Sequence, residues 1–201
     1  MNICIFGSGA IGSYIGALLH KNKINVSLIC RGEHLKAIKN NGLLMQSVES
    51  DDEYFCRPIA SDNPNDFEKQ DVIIVTLKAH SAALTAKMLS PLLKKNTVVV
   101  SAVNGLPWWY FYKSNDKFEN FKLKSVDPKN LQWNYIKPER AIGCVVYPAA
   151  EVKRPGFVYH MEGDRFPIGE PSGEISDRAK NLSKILIESG LKAPVRKNIR
   201  S

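Results

Sequence analysis

A doubly wound α/β fold with a mostly parallel sheet is what three features of this sequence predict. Runs rich in apolar residues recur at Ile3–Phe6, Asn25–Cys30, Asp71–Leu77 and Thr97–Ser101, as strands buried on both faces of a parallel sheet require. Segments whose apolar residues keep a helical interval lie between them, beginning with Ile11, Ile15, Leu18 and Leu19. Gly7, Gly9 and Gly12 follow the first run at the spacing G-x-G-x-x-G, where a strand should pass by a tight turn into a helix.

Each of these glycines has its own physical task. Gly7 allows the turn, Gly9 lets the backbone come close to a pyrophosphate with no Cβ in the way, and Gly12 lets the helix pack closely on the strand. The helix N-terminus then points free N–H groups and partial positive charge at the phosphates. The stretch Gly7-Ser8-Gly9-Ala10-Ile11-Gly12 is therefore read as the phosphate loop of a Rossmann-type dinucleotide fold.

The second run closes at Arg31 and Gly32, the place where such a fold delivers a side chain to the adenosine ribose. A carboxylate there suits the free 2′-hydroxyl of NAD, whereas a guanidinium can clamp a 2′-phosphate. Arg31, with Lys36 and Lys39 nearby, points to NADPH/NADP; the alternative is an ordinary exposed arginine at a strand end. Residues 33 to 41 read as a helix, and 43 to 60 as a short hairpin with an acidic tip at Glu49 to Glu53. Lys78 ends the third run, at the carboxyl edge where open α/β sheets bind ligands; otherwise it is a lysine leaving the core for water. A helix from about Ser81 to Leu93 leads to the fourth run, which ends in Asn104-Gly105. Asn104 reads either as a second ligand contact or as the turn residue of an Asn-Gly pair.

Pro107-Trp108-Trp109-Tyr110-Phe111-Tyr112 and the Lys- and Asn-rich stretch to Trp133 fit no standard element. Such aromatics can stack bases, line an apolar pocket or pack a long loop onto the domain; no nucleic-acid motif accompanies them, and nucleic acid is not an expected partner. Strand segments return at Ala141 to Tyr147, Gly156 to His160 and Arg165 to Ile168, and are expected to extend the sheet in antiparallel fashion. Residues 175 to 189 form an amphipathic helix ended by Gly190.

Composition narrows the classes further. A chain of 201 residues buries about 70% of its unfolded surface and needs no disulfide or metal staple. No apolar run approaches the roughly 18 residues that would read as a membrane span, and the apolar N-terminus lacks a basic leader, so a cytoplasmic protein without a membrane partner is expected. Cys4, Cys30, Cys56 and Cys144 form no C-x-x-C pair, and Cys4, Cys30 and Cys144 read as reduced core residues. His20, His34, His80 and His160 have no metal-ligand spacing, so no metal site is expected. A formal charge of +8 favours anionic ligands without choosing among them.

Taken together, several motifs resemble the ketopantoate reductases (2-dehydropantoate 2-reductases). The likeness rests on the N-terminal Gly7–Gly12 loop, Arg31, Val75-Thr76-Leu77-Lys78-Ala79, Asn104-Gly105, Ile142-Gly143-Cys144-Val145-Val146-Tyr147 and Gly169-Glu170-Pro171, in that order. The resemblance implies an NADPH-binding domain over residues 1–195, with 107–139 as a long aromatic and basic insertion. Residues 196–201 would begin the connection to a helical domain. It implies that Gly7, Ser8, Gly9, Ala10, Ile11 and Gly12 hold the pyrophosphate and that Arg31 meets the 2′-phosphate. Lys78 would lie near the nicotinamide ribose, and Asn104 would hydrogen-bond at the substrate end. The expected substrate is a small 2-keto acid, ketopantoate itself or a relative of it, and a nucleotide-binding protein without chemistry is the alternative. Trp108 and Trp109 resemble a variant in one branch of the family and would help shape its pocket. In the family the general-acid lysine comes from the helical domain, so no catalytic residue is expected within these 201 residues and the chain alone should be inactive. Oligomeric state stays open, with a homodimer among the options.

Overall fold

Alternate residues of the first strand, β1 (Asn2–Phe6), leave on opposite sides of one sheet. Ile3 and Ile5 join one apolar cluster and Cys4 and Phe6 another, and both clusters are buried. This two-sided burial is why the strand is written as a continuous apolar run. The computed structural model describes residues 1–48 and 53–200, so the expected acidic tip lies outside the described residues except for Glu53.

The chain then passes through α1 (Ala10–Lys21), β2 (Asn25–Ile29), α2 (Gly32–Asn41), β3 (Leu43–Ser47), β4 (Glu53–Cys56) and β5 (Ile59–Ser61). After these come β6 (Val72–Val75), α3 (Ala79–Thr85), β7 (Val98–Ala102), α4 (Leu131–Tyr135), β8 (Ala141–Cys144), β9 (Ala149–Arg154), β10 (Phe157–Glu162), β11 (Ile168–Gly169) and α5 (Asp177–Glu188). Seven strands form one sheet in the order β11-β8-β7-β6-β1-β2-β5. All pairs are parallel except β11 with β8. From β1 the chain fills one side of the sheet, then returns through β6 to fill the other. That reversal puts a topological switch point at the carboxyl ends of β1 and β6, which is where such sheets hold ligands.

A second sheet, β4-β3-β10-β9, lies across the outer side of α1. The helix is thus clamped between two sheets, and its sequence accommodates this. Gly12 and Gly16 face the main sheet, where a Cβ at Gly16 would come within 2.8 Å of Leu28. Tyr14 turns outward and stacks on His160 of β10 with ring centroids 4.2 Å apart.

Three segments differ in detail from expectation. The expected hairpin over 43 to 60 exists as β3 and β4, but its last residues form β5, which leaves to pair in parallel with β2. The returning strands do not all extend the main sheet: β8 joins it in parallel, β11 adds the antiparallel edge, and β9 with β10 builds the second sheet on β3. The helix expected to reach Leu93 is α-helical only to Thr85 and continues as a 3-10 segment, Ala86–Leu92. Pro91 in that segment has no N–H to donate and crowds the preceding turn, which disfavours a regular α-helical end.

The start of the aromatic insertion packs down on the sheet, whereas Phe118 and Phe121 further along it are exposed. Trp108 and Trp109 are both buried, and Trp109 Nε1 donates to Ser101 Oγ of β7 at 3.2 Å. Gly143 on β8 leaves room for the Trp109 ring, since a Cβ there would lie 2.6 Å from it. Ile199 is buried in the same cluster, and Arg200 donates to the Tyr110 and Tyr112 carbonyls at 2.6 and 2.7 Å. All four cysteines are buried and unpaired, and burial pushes the Cys4, Cys56 and Cys144 thiols up to about 12.

Candidate functional site

The loop between β1 and α1 is held from two neighbouring strand ends. Gly7 and Ser8 donate their N–H groups to the Ile29 carbonyl of β2 at 3.0 and 2.8 Å, and Thr76, just past β6, donates from Oγ1 to the Gly7 carbonyl at 2.8 Å. Gly7 has φ +107°, which an L side chain rarely adopts, and a Cβ there would also strike Leu77 at 2.6 Å. A Cβ at Gly12 would meet Thr76 Oγ1 at 2.5 Å and the Gly7 carbonyl at 2.7 Å, so the helix sits against the strand as closely as backbone allows. Gly9 is different. A Cβ there would find only the Gly7 carbonyl, 3.9 Å away, so its outer side is open.

Gly9 is also the N-cap of α1, with no side chain capping the helix and no acid in the first turn. The first-turn N–H groups of Ala10, Ile11 and Gly12 therefore point outward with the helix's partial positive charge and no side-chain acceptor from the cap. Ser8, expected to join them, does not: its N–H is spent on the Ile29 carbonyl. Its side chain is turned inward, 2% exposed, with its Oγ 2.8 Å from Ser13 Oγ.

Arg31 caps α2 at the end of β2, one strand from the loop; it is exposed and forms no ion pair among the described residues. The nearby Lys36 is occupied, bonding Glu33 at 2.8 Å, and that partner raises its ammonium pKa. Lys78 stands on the other side of the loop, beyond β6, exposed and at the N-cap of the short α3. Asn104 lies past the end of β7. Its amide donates to the Val146 carbonyl at 2.8 Å and accepts from the Val146 N–H at 3.0 Å, tying the ends of β7 and β8 together.

The structure thus brings the loop, Arg31, Lys78 and Asn104 to one edge of one sheet, at the carboxyl ends of β1, β2, β6 and β7. Thr76 and Ser13 belong to the same edge and were not singled out by sequence; a hydroxyl that bonds a loop carbonyl leaves no periodic signal. A cavity of about 490 Å³ among Met1, Asp71, Lys94, Arg178 and Asn181 opens at the opposite, amino-terminal edge. Among the described residues no group of three or more His, Cys, Asp or Glu is placed to hold a metal ion, and no helix is long and apolar enough to cross a membrane.

Residues 3–173 match the family described as ketopantoate reductase PanE/ApbA. The chain belongs to the ketopantoate reductase family. A protein of Mesorhizobium japonicum named 2-dehydropantoate 2-reductase is 44% identical over 202 residues, covering all of this chain and 61% of the relative. Among solved structures, a protein of Ralstonia solanacearum described as a candidate ketopantoate reductase superposes with a TM-score of 0.92 at 32% identity, covering 98% of this chain and 60% of that one. A D-mandelate dehydrogenase solved with NADH and anilino(oxo)acetate superposes with a TM-score of 0.80 at 25% identity, over 99% of this chain and 58% of that one. The chain therefore spans about three fifths of the length of these ketopantoate reductase relatives.

Proposed function

We propose that these residues form the NADPH-binding portion of a reductase that converts a 2-keto acid, ketopantoate in the first instance, to its 2-hydroxy acid. The observation that carries this reading is the row of positive features along three adjacent strand ends. Arg31 follows β2, the open helix N-terminus follows β1 and Lys78 follows β6. Neighbouring strands lie about 4.8 Å apart, so the row spans roughly 10 Å, a reach suited to a ligand with several separated phosphates.

In this reading Gly9 admits the pyrophosphate to the Ala10, Ile11 and Gly12 N–H groups, which hold its charge without a side chain intervening. Arg31 clamps the 2′-phosphate and Lys78 steadies the ribose next to the nicotinamide. Bound there, the cofactor supplies hydride to the carbonyl carbon of the keto acid. Asn104 keeps one N–H and one lone pair beyond its bonds to Val146, and these orient the substrate. The alkoxide that develops needs an acid. Residues 1–201 provide none in this reading, so they bind nucleotide without turnover. The four unpaired thiols fit a reducing, cytoplasmic setting.

Titration calorimetry tests the cofactor assignment. NADPH should bind more tightly than NADH, and Arg31→Ala should remove most of the difference; equal affinities in the unaltered chain refute it. NADPH oxidation with ketopantoate should be near background for residues 1–201, and robust turnover would place the acid within them. The dehydrogenase solved with anilino(oxo)acetate favours a second reading, a different 2-keto acid, which a panel of aliphatic and aromatic keto acids distinguishes. A nucleotide-binding protein without chemistry remains if none of them enhances nucleotide affinity.

A further inference from the structure

Behind the glycine loop runs a line of hydrogen bonds, from buried Ser8 and Ser13 to half-buried His34, that the proposed phosphate contacts do not use. Ser8 Oγ lies 2.8 Å from Ser13 Oγ, and Ser13 Oγ lies 3.1 Å from His34 Nε2. The Gly156 N–H then donates to His34 Nδ1 at 3.1 Å. Ser8 and Ser13 are 2% and 0% exposed, so water does not substitute for these partners. Gly156 is itself fixed: it turns from β9 into β10 with φ +76°, and its carbonyl accepts from Leu44 N at 2.9 Å.

The backbone amide sets the direction of the line as far as Ser13. A peptide N–H can only donate, so His34 Nδ1 must be the acceptor, and the ring proton sits on Nε2. Nε2–H then donates to Ser13 Oγ, which leaves the Ser13 hydroxyl to donate onward to Ser8, whose carbonyl lies 3.3 Å away and whose Oγ lies at 2.8 Å. The line works only with a neutral imidazole, and burial holds the His34 pKa below its ordinary value.

We propose that His34 is a positioning residue for the glycine loop, anchoring it through Ser13 to the second sheet so that the first N–H groups of α1 stay aimed at a phosphate. Thr76 and Ile29 secure the loop from the main sheet, and His34 secures it from the other side. A phosphate site made of backbone N–H groups depends on their mutual alignment, so loosening one anchor weakens the anion contact even where every group remains present.

This inference rests on the nucleotide-binding reading, and the test separates the two. Thermal midpoints and dissociation constants for NADPH, ADP and 2′-AMP are measured for the unaltered chain, His34→Leu, Ser13→Ala and His34→Gln. ADP carries the pyrophosphate and 2′-AMP does not. His34→Leu and Ser13→Ala should weaken NADPH and ADP about five- to tenfold and leave 2′-AMP unchanged. His34→Gln, which keeps a donor near Nε2 and an acceptor near Nδ1, should restore most of the loss. Unchanged ADP affinity in folded His34→Leu and Ser13→Ala overturns the proposal, as does an equal loss of ADP and 2′-AMP with a lowered midpoint. Should His34→Leu fail to fold, Ser13→Ala carries the same test without altering the second sheet. Failure of the unaltered chain to bind NADPH or ADP overturns the underlying reading instead.

Discussion

Alanine at Gly12 and alanine at Gly9 should fail in opposite ways. At Gly12 the added Cβ would lie 2.5 Å from Thr76 Oγ1, 2.7 Å from the Gly7 carbonyl and 2.9 Å from Ile5 Cγ2. Comfortable contact begins near 3.5 Å, so α1 must retreat from the strand by up to about 1 Å. Neither polar neighbour can easily give, because Thr76 Oγ1 donates to that same carbonyl. Overpacking of this kind costs about 1 to 3 kcal/mol, and each kcal/mol lowers the midpoint of a domain this size by about 2 to 4 °C. At Gly9 the Cβ meets nothing nearer than 3.9 Å, and the backbone, at φ −86° and ψ −147°, lies just outside the extended region that L residues favour, a strain of about 1 kcal/mol for alanine. Gly9→Ala should therefore melt a few degrees at most below the unaltered chain and less far below it than Gly12→Ala, while its methyl occupies the side from which a phosphate would approach. NADPH affinity should fall more than about tenfold in Gly9→Ala. Circular dichroism melting and titration calorimetry on the same samples decide it. If Gly9→Ala melts early and binds normally while Gly12→Ala does the reverse, the assignment of tasks to these glycines is wrong.

Two further outcomes follow from charges away from the loop. Glu170 is buried after β11 and accepts from Arg178 Nε at 2.7 Å and Nη2 at 2.6 Å, which raises the Arg178 pKa and fastens α5 to the sheet edge. Removing a buried partner leaves the other charge uncompensated; with Arg178 partly exposed, Glu170→Ala should cost about 2 to 4 kcal/mol in urea unfolding. Asp71 accepts from Lys94 and from the Asn2 N–H, and these bonds hold its carboxyl pKa below the usual value. A depressed carboxyl contributes stability that is full above its unfolded value of about 3.9 and is lost as pH falls through the lower folded value. Acid melting curves of Asp71→Asn should accordingly be flatter below about pH 4 than those of the unaltered chain, and parallel curves would contradict the assignment.

The main sheet was legible because burial on both faces writes itself into sequence. Ile3 to Phe6 and Val72 to Val75 have no polar face to show, so each run announces a central strand without any knowledge of its neighbours. The second sheet had no such local mark. β3 and β10 pair through Leu44 with Phe157 and Gln46 with Tyr159, across more than a hundred residues, and alternation along either strand cannot name its partner. The same distance hid His34, whose bond to Gly156 spans 122 residues; read alone it is one of several scattered histidines. The placement of Gly7, Gly9, Gly12 and Arg31 at strand ends was legible because a turn, an open approach and a strand end each leave a local mark. Ser8 and Thr76 were not distinguishable by type, since a hydroxyl serves equally well facing a ligand or facing the loop.

Asn104 shows how such ambiguity bears on substrate choice. Its amide is held at both ends by Val146, so the plane of the side chain is fixed by β8 rather than by any ligand. A rigid amide presents its remaining N–H in a set direction, which favours a substrate whose polar atom lies there and penalises one that must displace it. In the proposed reading, discrimination among keto acids would then begin at the ends of β7 and β8, separate from the row of positive features at β2, β1 and β6 that would select the nucleotide. Substitutions in one group should therefore change affinity for one ligand with little effect on the other, as expected for sites that share a sheet edge but no side chains.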